Sequence, residues 1–202
     1  MKLKGLYAIT DDTLTPYEYV DRYVAKAILG GARIVQLRDK RLSDEELYPV
    51  AQKIKKVCKQ NGALFLIDDR ITLAKAVGAD GAHIGGDDTP LALAREILGR
   101  KKIIGVSCYG DLARAKEMVL GGADYVAFGS FFTSKTKPHA KVVDKSVLRE
   151  AKKLGVPVCA IGGIDASNAK ELIEEGADMI SVINALWSGD VLRNAVEFGE
   201  AF

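Results

Sequence analysis

The strongest constraint on the fold is a short motif that returns four times: Gly31-Ala32-Arg33, Gly78-Ala79-Asp80, Gly122-Ala123-Asp124 and Gly176-Ala177-Asp178. Each copy closes a helical pattern and opens an apolar run. The copies stand roughly 45–55 residues apart, the spacing of a repeated supersecondary unit. Glycine suits the left-handed position that ends a helix, which residues with a Cβ adopt only at a cost. One more apolar run lies between successive copies (Leu64–Ile67, Ile103–Val106, Val156–Ile161), and Leu6–Thr10 precedes the first. The chain therefore reads as eight strands alternating with helices.

Strict alternation suits an open doubly wound sheet or a closed barrel. The first strand ends in Thr10-Asp11-Asp12, without the glycine fingerprint of a doubly wound sheet. Eight units of about 25 residues match a compact (β/α)8 TIM barrel, expected as one domain over residues 1–202. The strands are short and apolar on both faces, as parallel strands covered by helices must be. Thr15-Pro16-Tyr17-Glu18 and Ser43-Asp44-Glu45-Glu46 carry capping-box signals, and Thr89-Pro90 and Asp165 open two later helices. Pro49 falls inside the second helix, where a kink is expected.

Composition removes several function classes. The formal charge of +2 comes from 29 basic and 27 acidic residues, well mixed and without the basic stripe of a nucleic-acid binder. No apolar run approaches about 18 residues, so no membrane span is expected. The N-terminal segment leads straight into a strand, and a cytoplasmic location is expected. Cys58, Cys108 and Cys159 are odd in number and fit neither a disulfide framework nor a zinc site, so they read as reduced core thiols. Two histidines exclude a histidine-rich metal site: His83 reads as a hydrogen-bonded interior residue, His139 as exposed. Trp187 is expected to pack against the outer layer of the barrel.

Function in such barrels sits where strands run into the following loops. The second strand ends Gln36-Leu37-Arg38-Asp39-Lys40. At period two, Gln36, Arg38 and Lys40 share one face and Leu37 and Asp39 the other. Two cations facing a barrel interior are costly unless an anion meets them; the anion is either a ligand or a nearby aspartate. The third strand ends Asp68-Asp69-Arg70, and the fourth is followed by Gly85-Gly86-Asp87-Asp88. Carboxylates at adjacent strand ends suit Mg2+ completed by phosphate oxygens, although Asp69 and Asp88 each also stand where a helix cap would. Ser107 ends the fifth strand, and the sixth runs into a long polar loop from Gly129 to about Asp144 that reads as a lid. Gly162-Gly163 after the seventh strand lets backbone N–H groups approach a phosphate. The loop after the eighth strand, with Ile183 and Asn184, completes a common barrel phosphate site.

Taken together, Leu6–Asp11, Gln36–Lys40, Asp68–Arg70, Gly78–Gly85, Gly105–Ser107, Thr136-Lys137 and Ala160–Ile164, in this order, resemble thiamin phosphate synthase over nearly the whole chain. The resemblance implies a transferase with small-molecule substrates, joining an aminopyrimidine (hydroxymethylpyrimidine) pyrophosphate to a thiazole phosphate through a pyrimidine carbocation and releasing pyrophosphate. It implies that Arg38, Lys40, Ser107 and Lys137 carry catalysis and that Asp69 and Asp88 ligate Mg2+. The substrate surface it implies takes in the whole run Gln36–Lys40, Leu37 and Asp39 included, with Asp68, Ser107, Ser134, Lys135, Thr136, Lys137, Gly163, Ile183 and Asn184. The chain departs from the family pattern at Asp68, usually asparagine; at Gly86, usually glutamine; at Ser134-Lys135, usually Thr-Pro; and at Asn184, usually serine. Lys135 is a candidate charge to offset Asp68. A related tautomerase family has histidine where Tyr109 stands, and a ligand-binding barrel without turnover is the third reading.

Overall fold

The computed structural model describes residues 3–133 and 141–202. Eight parallel strands close into a barrel in sequence order: β1 (Gly5–Ile9), β2 (Ile34–Leu37), β3 (Leu64–Asp68), β4 (Gly81–Ile84), β5 (Ile103–Tyr109), β6 (Tyr125–Phe128), β7 (Val158–Ile161) and β8 (Met179–Val182). The outer layer comprises α1 (Val20–Leu29), α2 (Asp44–Asn61), α3 (Ile71–Val77), α4 (Leu91–Leu98), α5 (Leu112–Leu120), α6 (Val147–Lys152), α7 (Ala169–Glu174), α8 (Asn184–Trp187) and α9 (Val191–Gly199). No described helix is long and apolar enough to cross a membrane.

The repeated motif has a clear physical task at the amino ends of the strands. All four glycines carry positive φ, and the alanine after each donates its N–H back into the last helical turn (Ala32 to Ala27, Ala79 to Ala74, Ala123 to Met118, Ala177 to Leu172). The aspartates then fasten strand pairs. Asp80 Oδ2 accepts from Phe65 N at 2.8 Å, Asp124 Oδ2 from Ile104 N at 2.8 Å and Asp178 Oδ2 from Val158 N at 2.9 Å. Each aspartate also donates its own N–H to the carbonyl of the same residue. Three of the four β-α-β units thus end in the same two-bond clasp. In the fourth, Arg33 makes the backbone bond to Leu6 O alone.

The helix starts match the sequence reading in part. Ser43 and Glu46 form the capping box of α2, which continues unbroken through Pro49. The Thr15-Pro16 signal does not start a helix: α1 begins at Val20, and the buried Thr15 hydroxyl donates to Asp11 O at 2.6 Å within a preceding turn. Thr89 makes no cap for α4, and Asp165 organises a turn by accepting from Ser167 and Asn168 before α7 begins. Trp187 is buried in the strand–helix layer, with Nε1 donating to Ile9 O at 2.5 Å. All three thiols are buried and free. Burial pushes Cys58 and Cys108 up to about 12 and raises Cys159 as well, which suits inert core thiols rather than nucleophiles.

Inside the barrel, side chains change character with height. Ile34, Leu66, Met179 and the ring of Tyr125 form an apolar floor. Above it stand Gln36, Asp68, His83, Ser107 and Ser181, all lining a cavity of about 1250 Å3 that opens at the carboxyl ends of the strands.

Candidate active site

The β2 alternation read from sequence appears in the structure. Gln36, Arg38 and Lys40 line the cavity, whereas Leu37 and Asp39 do not. Leu37 is buried in the strand–helix layer. Asp39 accepts from the Tyr17 hydroxyl at 2.5 Å and from the N–H groups of Arg41 and Leu42 at 2.7 Å each. Burial raises its pKa, but these bonds and the Arg41 charge outweigh burial and hold it below the ordinary carboxylate value. Its carboxylate is fully occupied shaping the β2–α2 loop, so the side chains of Leu37 and Asp39 do not reach the cavity.

The cations that follow β2 meet aspartates at the end of β3. Arg38 Nε lies 3.7 Å and Lys40 Nζ 3.5 Å from Asp68 Oδ2, and Lys40 also pairs with Asp69 Oδ2. Arg38 and Lys40, just past β2, are the charges that offset Asp68 among the described residues; Lys135, the candidate for that task, lies outside them. Asp69 has φ 58°, a left-handed conformation unusual for a residue with a Cβ. Its Oδ2 is buried and pairs with the Lys40 ammonium. Asp69 does not cap α3 with its side chain; the residue at that N-cap is Arg70. Asp88 Oδ2 accepts from Gly85 N at 2.6 Å, which ties up the loop after β4 and places this carboxylate outside the cavity lining. Neither aspartate is a helix cap.

Ser107 stands at the cavity wall with Oγ 2.9 Å from His83 Nε2, while His83 Nδ1 lies 2.8 Å from the Tyr125 hydroxyl. His83 is thus the hydrogen-bonded interior histidine expected. Beyond Ser107 the β5–β6 register shifts, and Tyr109 takes φ 57° with its ring over the mouth. The Tyr109 hydroxyl accepts from Gly86 N at 3.0 Å, and a Cβ on Gly86 would stand 3.0 Å from that oxygen. The tyrosine therefore occupies the space that a side chain at position 86 would need.

After β7 and β8, Gly163, Ile183 and Asn184 line the cavity together. Gly162 and Gly163 have φ 102° and 67°, and any Cβ there would run into Ser130 or the backbone of Phe132 and Thr133. Their bare faces let the β7 loop press on the β6 loop, where Phe131 N and Phe132 N donate to Ile161 O and Gly162 O. Ser134, Lys135, Thr136, Lys137 and His139 lie outside the described residues. Sequence reasoning missed Tyr7 and Lys141 in the lining and the Tyr125 contact to His83.

The closed barrel and its charged cavity at the carboxyl ends of the strands define a (β/α)8-barrel enzyme. The chain belongs to the thiamine monophosphate synthase family, whose model matches residues 6–186. It is 47% identical over 196 residues to a thiamine-phosphate synthase of Wolinella succinogenes, covering 96% of this chain and 90% of that protein. A thiamine-phosphate synthase of Nitrosococcus oceani is 45% identical over 194 residues, covering 96% and 89%. A solved structure of thiamine phosphate pyrophosphorylase from Pyrococcus furiosus superposes with a TM-score of 0.89 at 37% identity, covering 98% of this chain and 94% of that one.

Proposed function

We propose that this chain makes thiamine phosphate by joining hydroxymethylpyrimidine pyrophosphate to thiazole phosphate, with release of pyrophosphate. The observation that carries this reading is that two anion-handling sets share one cavity. Arg38 and Lys40 come from the loop after β2, Gly163 and Asn184 from the loops after β7 and β8. In this reading the β2 cations hold the pyrophosphate and the glycine loop holds the thiazole phosphate. The carbon–oxygen bond to pyrophosphate breaks with its electrons leaving on oxygen, and the thiazole nitrogen closes on the resulting pyrimidine methylene cation. Arg38, Lys40 and the Ser107 hydroxyl meet the growing negative charge, an electrostatic task that needs no covalent nucleophile.

Mg2+ would be held by Asp69 at the cavity wall, with Asp88 joining it only by giving up its bond to Gly85 N. Two features support the fit: the buried Asp69 Oδ2, met by the Lys40 ammonium and by no backbone donor, and a donor set of carboxylates alone. Among the described residues no cluster of three or more metal-ligating side chains exists. Two carboxylates completed by phosphate oxygens and water is the usual Mg2+ arrangement. When bound, the ion would neutralise charge on the leaving pyrophosphate. A direct assay of thiamine phosphate formation from the two substrates, with and without Mg2+, tests the proposal; absence of product under both conditions overturns it.

A further inference from the structure

Four side chains from four strands make one line of hydrogen bonds from the barrel floor to the cavity. The hydroxyl of Tyr7 (β1) lies 2.9 Å from that of Tyr125 (β6), which lies 2.8 Å from His83 Nδ1 (β4); His83 Nε2 lies 2.9 Å from Ser107 Oγ (β5). The line exists because Gly105 stands between His83 and Tyr125 in strand register. A Cβ on Gly105 would fall inside the Tyr125 ring. Without one, that ring crosses β5 and stacks on His83, with centroids 5.5 Å apart and planes 29° from parallel.

Each hydroxyl owns one hydrogen, and a neutral imidazole owns one between its nitrogens. The line therefore runs in one of two directions, and its buried end chooses. Tyr7 is 2% exposed, and among the described residues its hydroxyl meets Tyr125 alone. If Tyr7 donates, Tyr125 donates to Nδ1, Nε2–H donates to Ser107 Oγ, and every buried hydrogen has an acceptor. In the opposite direction Ser107 donates inward and the hydrogen of the 2% exposed Tyr7, rather than that of the more open Ser107, must find its partner in the cavity. Burial, reinforced by the Asp68 charge, holds both phenols well above their ordinary value, so each remains an O–H.

We infer that the Tyr7–Tyr125 pair, acting through His83, is a positioning relay that commits the Ser107 hydroxyl to donate into the cavity, toward an anionic phosphate oxygen. Only the identity of that acceptor rests on the proposed reaction. Tyr7 and His83 line the cavity floor beneath Ser107; in the relay they decide which way the substrate-facing hydroxyl points. A serine lacking this constraint would spend part of its time donating to His83 and presenting only lone pairs to an anion.

The test has two arms. The first uses the full chain without ligands, labelled with 15N-histidine, with a His139→Gln variant to assign the remaining ring. Long-range 1H–15N correlation is expected to show His83 protonated at Nε2; protonation at Nδ1 alone overturns the inference. The second measures the affinity of inorganic pyrophosphate with Mg2+ by calorimetry in a double-mutant cycle. The Tyr7→Phe/Tyr125→Phe pair leaves no stranded hydroxyl, and it is expected to weaken binding on the order of tenfold, typical for one misdirected hydrogen bond to a charged group. In a Ser107→Ala background the same pair is expected to change affinity less than twofold, because nothing remains to be oriented. Equal losses in both backgrounds mean a purely structural role and sink the relay. Neither arm needs turnover, so a failed synthase assay and a failed relay are separate results.

Discussion

The two ends of the barrel use the same residue in opposite ways. At the amino end, Asp80, Asp124 and Asp178 each accept a strand N–H and donate their own N–H to the same strand. Arg95 and Lys152 add ion pairs to Asp124 and Asp178. At the carboxyl end, Asp68 faces Arg38 and Lys40 at 3.7 and 3.5 Å, and Asp69 Oδ2 is buried against the Lys40 ammonium with no backbone donor. A carboxylate saturated by backbone is a fastening. One held only by mobile cations can exchange partners when an anion or a metal arrives. Degree of hydrogen-bond saturation, rather than residue type or burial, separates structural from functional aspartates here.

The contrast is broken most forcefully at the cations. Arg38→Ala or Lys40→Ala is expected to lower turnover roughly a hundred- to a thousand-fold, the usual loss of about 2.7–4 kcal/mol for one charge-stabilising donor. Melting temperatures should stay near wild type; turnover within threefold of wild type for both variants removes the anion-binding role. Asp178→Ala should show the reverse profile. It strands the N–H of fully buried Val158, costing about 1–3 kcal/mol of stability in urea denaturation while turnover at low temperature is kept.

A smaller effect sharpens the comparison at Asp68. Because its carboxylate competes with an incoming anion for Arg38 and Lys40, Asp68→Asn is expected to tighten inorganic pyrophosphate in Mg2+-free buffer. The competing charge is worth roughly 1–2 kcal/mol at partly screened ion-pair distances, or about five- to thirty-fold in affinity. Unchanged or weaker binding in calorimetry would show that Asp68 serves the anion rather than opposes it. The smallest effect belongs to Asp39. Its pKa is depressed in the folded state, so the stabilisation is full above the ordinary aspartate value and fades as pH falls through the folded value. Asp39→Asn should therefore flatten the acid limb of the stability profile, leaving neutral-pH activity close to wild type.

Much of this was legible in the sequence, and for physical reasons. The glycine motif marks helix ends because few other residues accept positive φ, and the alternation in Gln36–Lys40 aims three side chains inward because strands have period two. What stayed hidden depends on contacts distant in sequence. That the Asp39 carboxylate is taken by Tyr17, 22 residues away, no local pattern announces. The Tyr7–Tyr125 contact joins residues 118 apart and depends on the missing Cβ of Gly105, which in a strand pattern reads only as a small residue. Thr15-Pro16 carries a sound helix-start signal, yet its hydroxyl finds Asp11 O first and the helix waits until Val20.

The aspartate clasps also bear on how the barrel is assembled in time. They join residues only 15, 20 and 20 positions apart, whereas the Trp187 bond to Ile9 that ties the last unit to the first spans 178. Closing the longer loop costs about 2 kcal/mol more chain entropy than closing a 20-residue one. The β3–β4, β5–β6 and β7–β8 units should zip first, each nearly independent of the others, with the β1–β8 seam sealing last. The cavity, whose walls come from both sides of that seam, would then exist only in the finished molecule. Pulse-labelling hydrogen exchange during refolding would register this as early protection of the Phe65, Ile104 and Val158 amides and late protection of Gly5, whose N–H donates to Asp178 O across the seam.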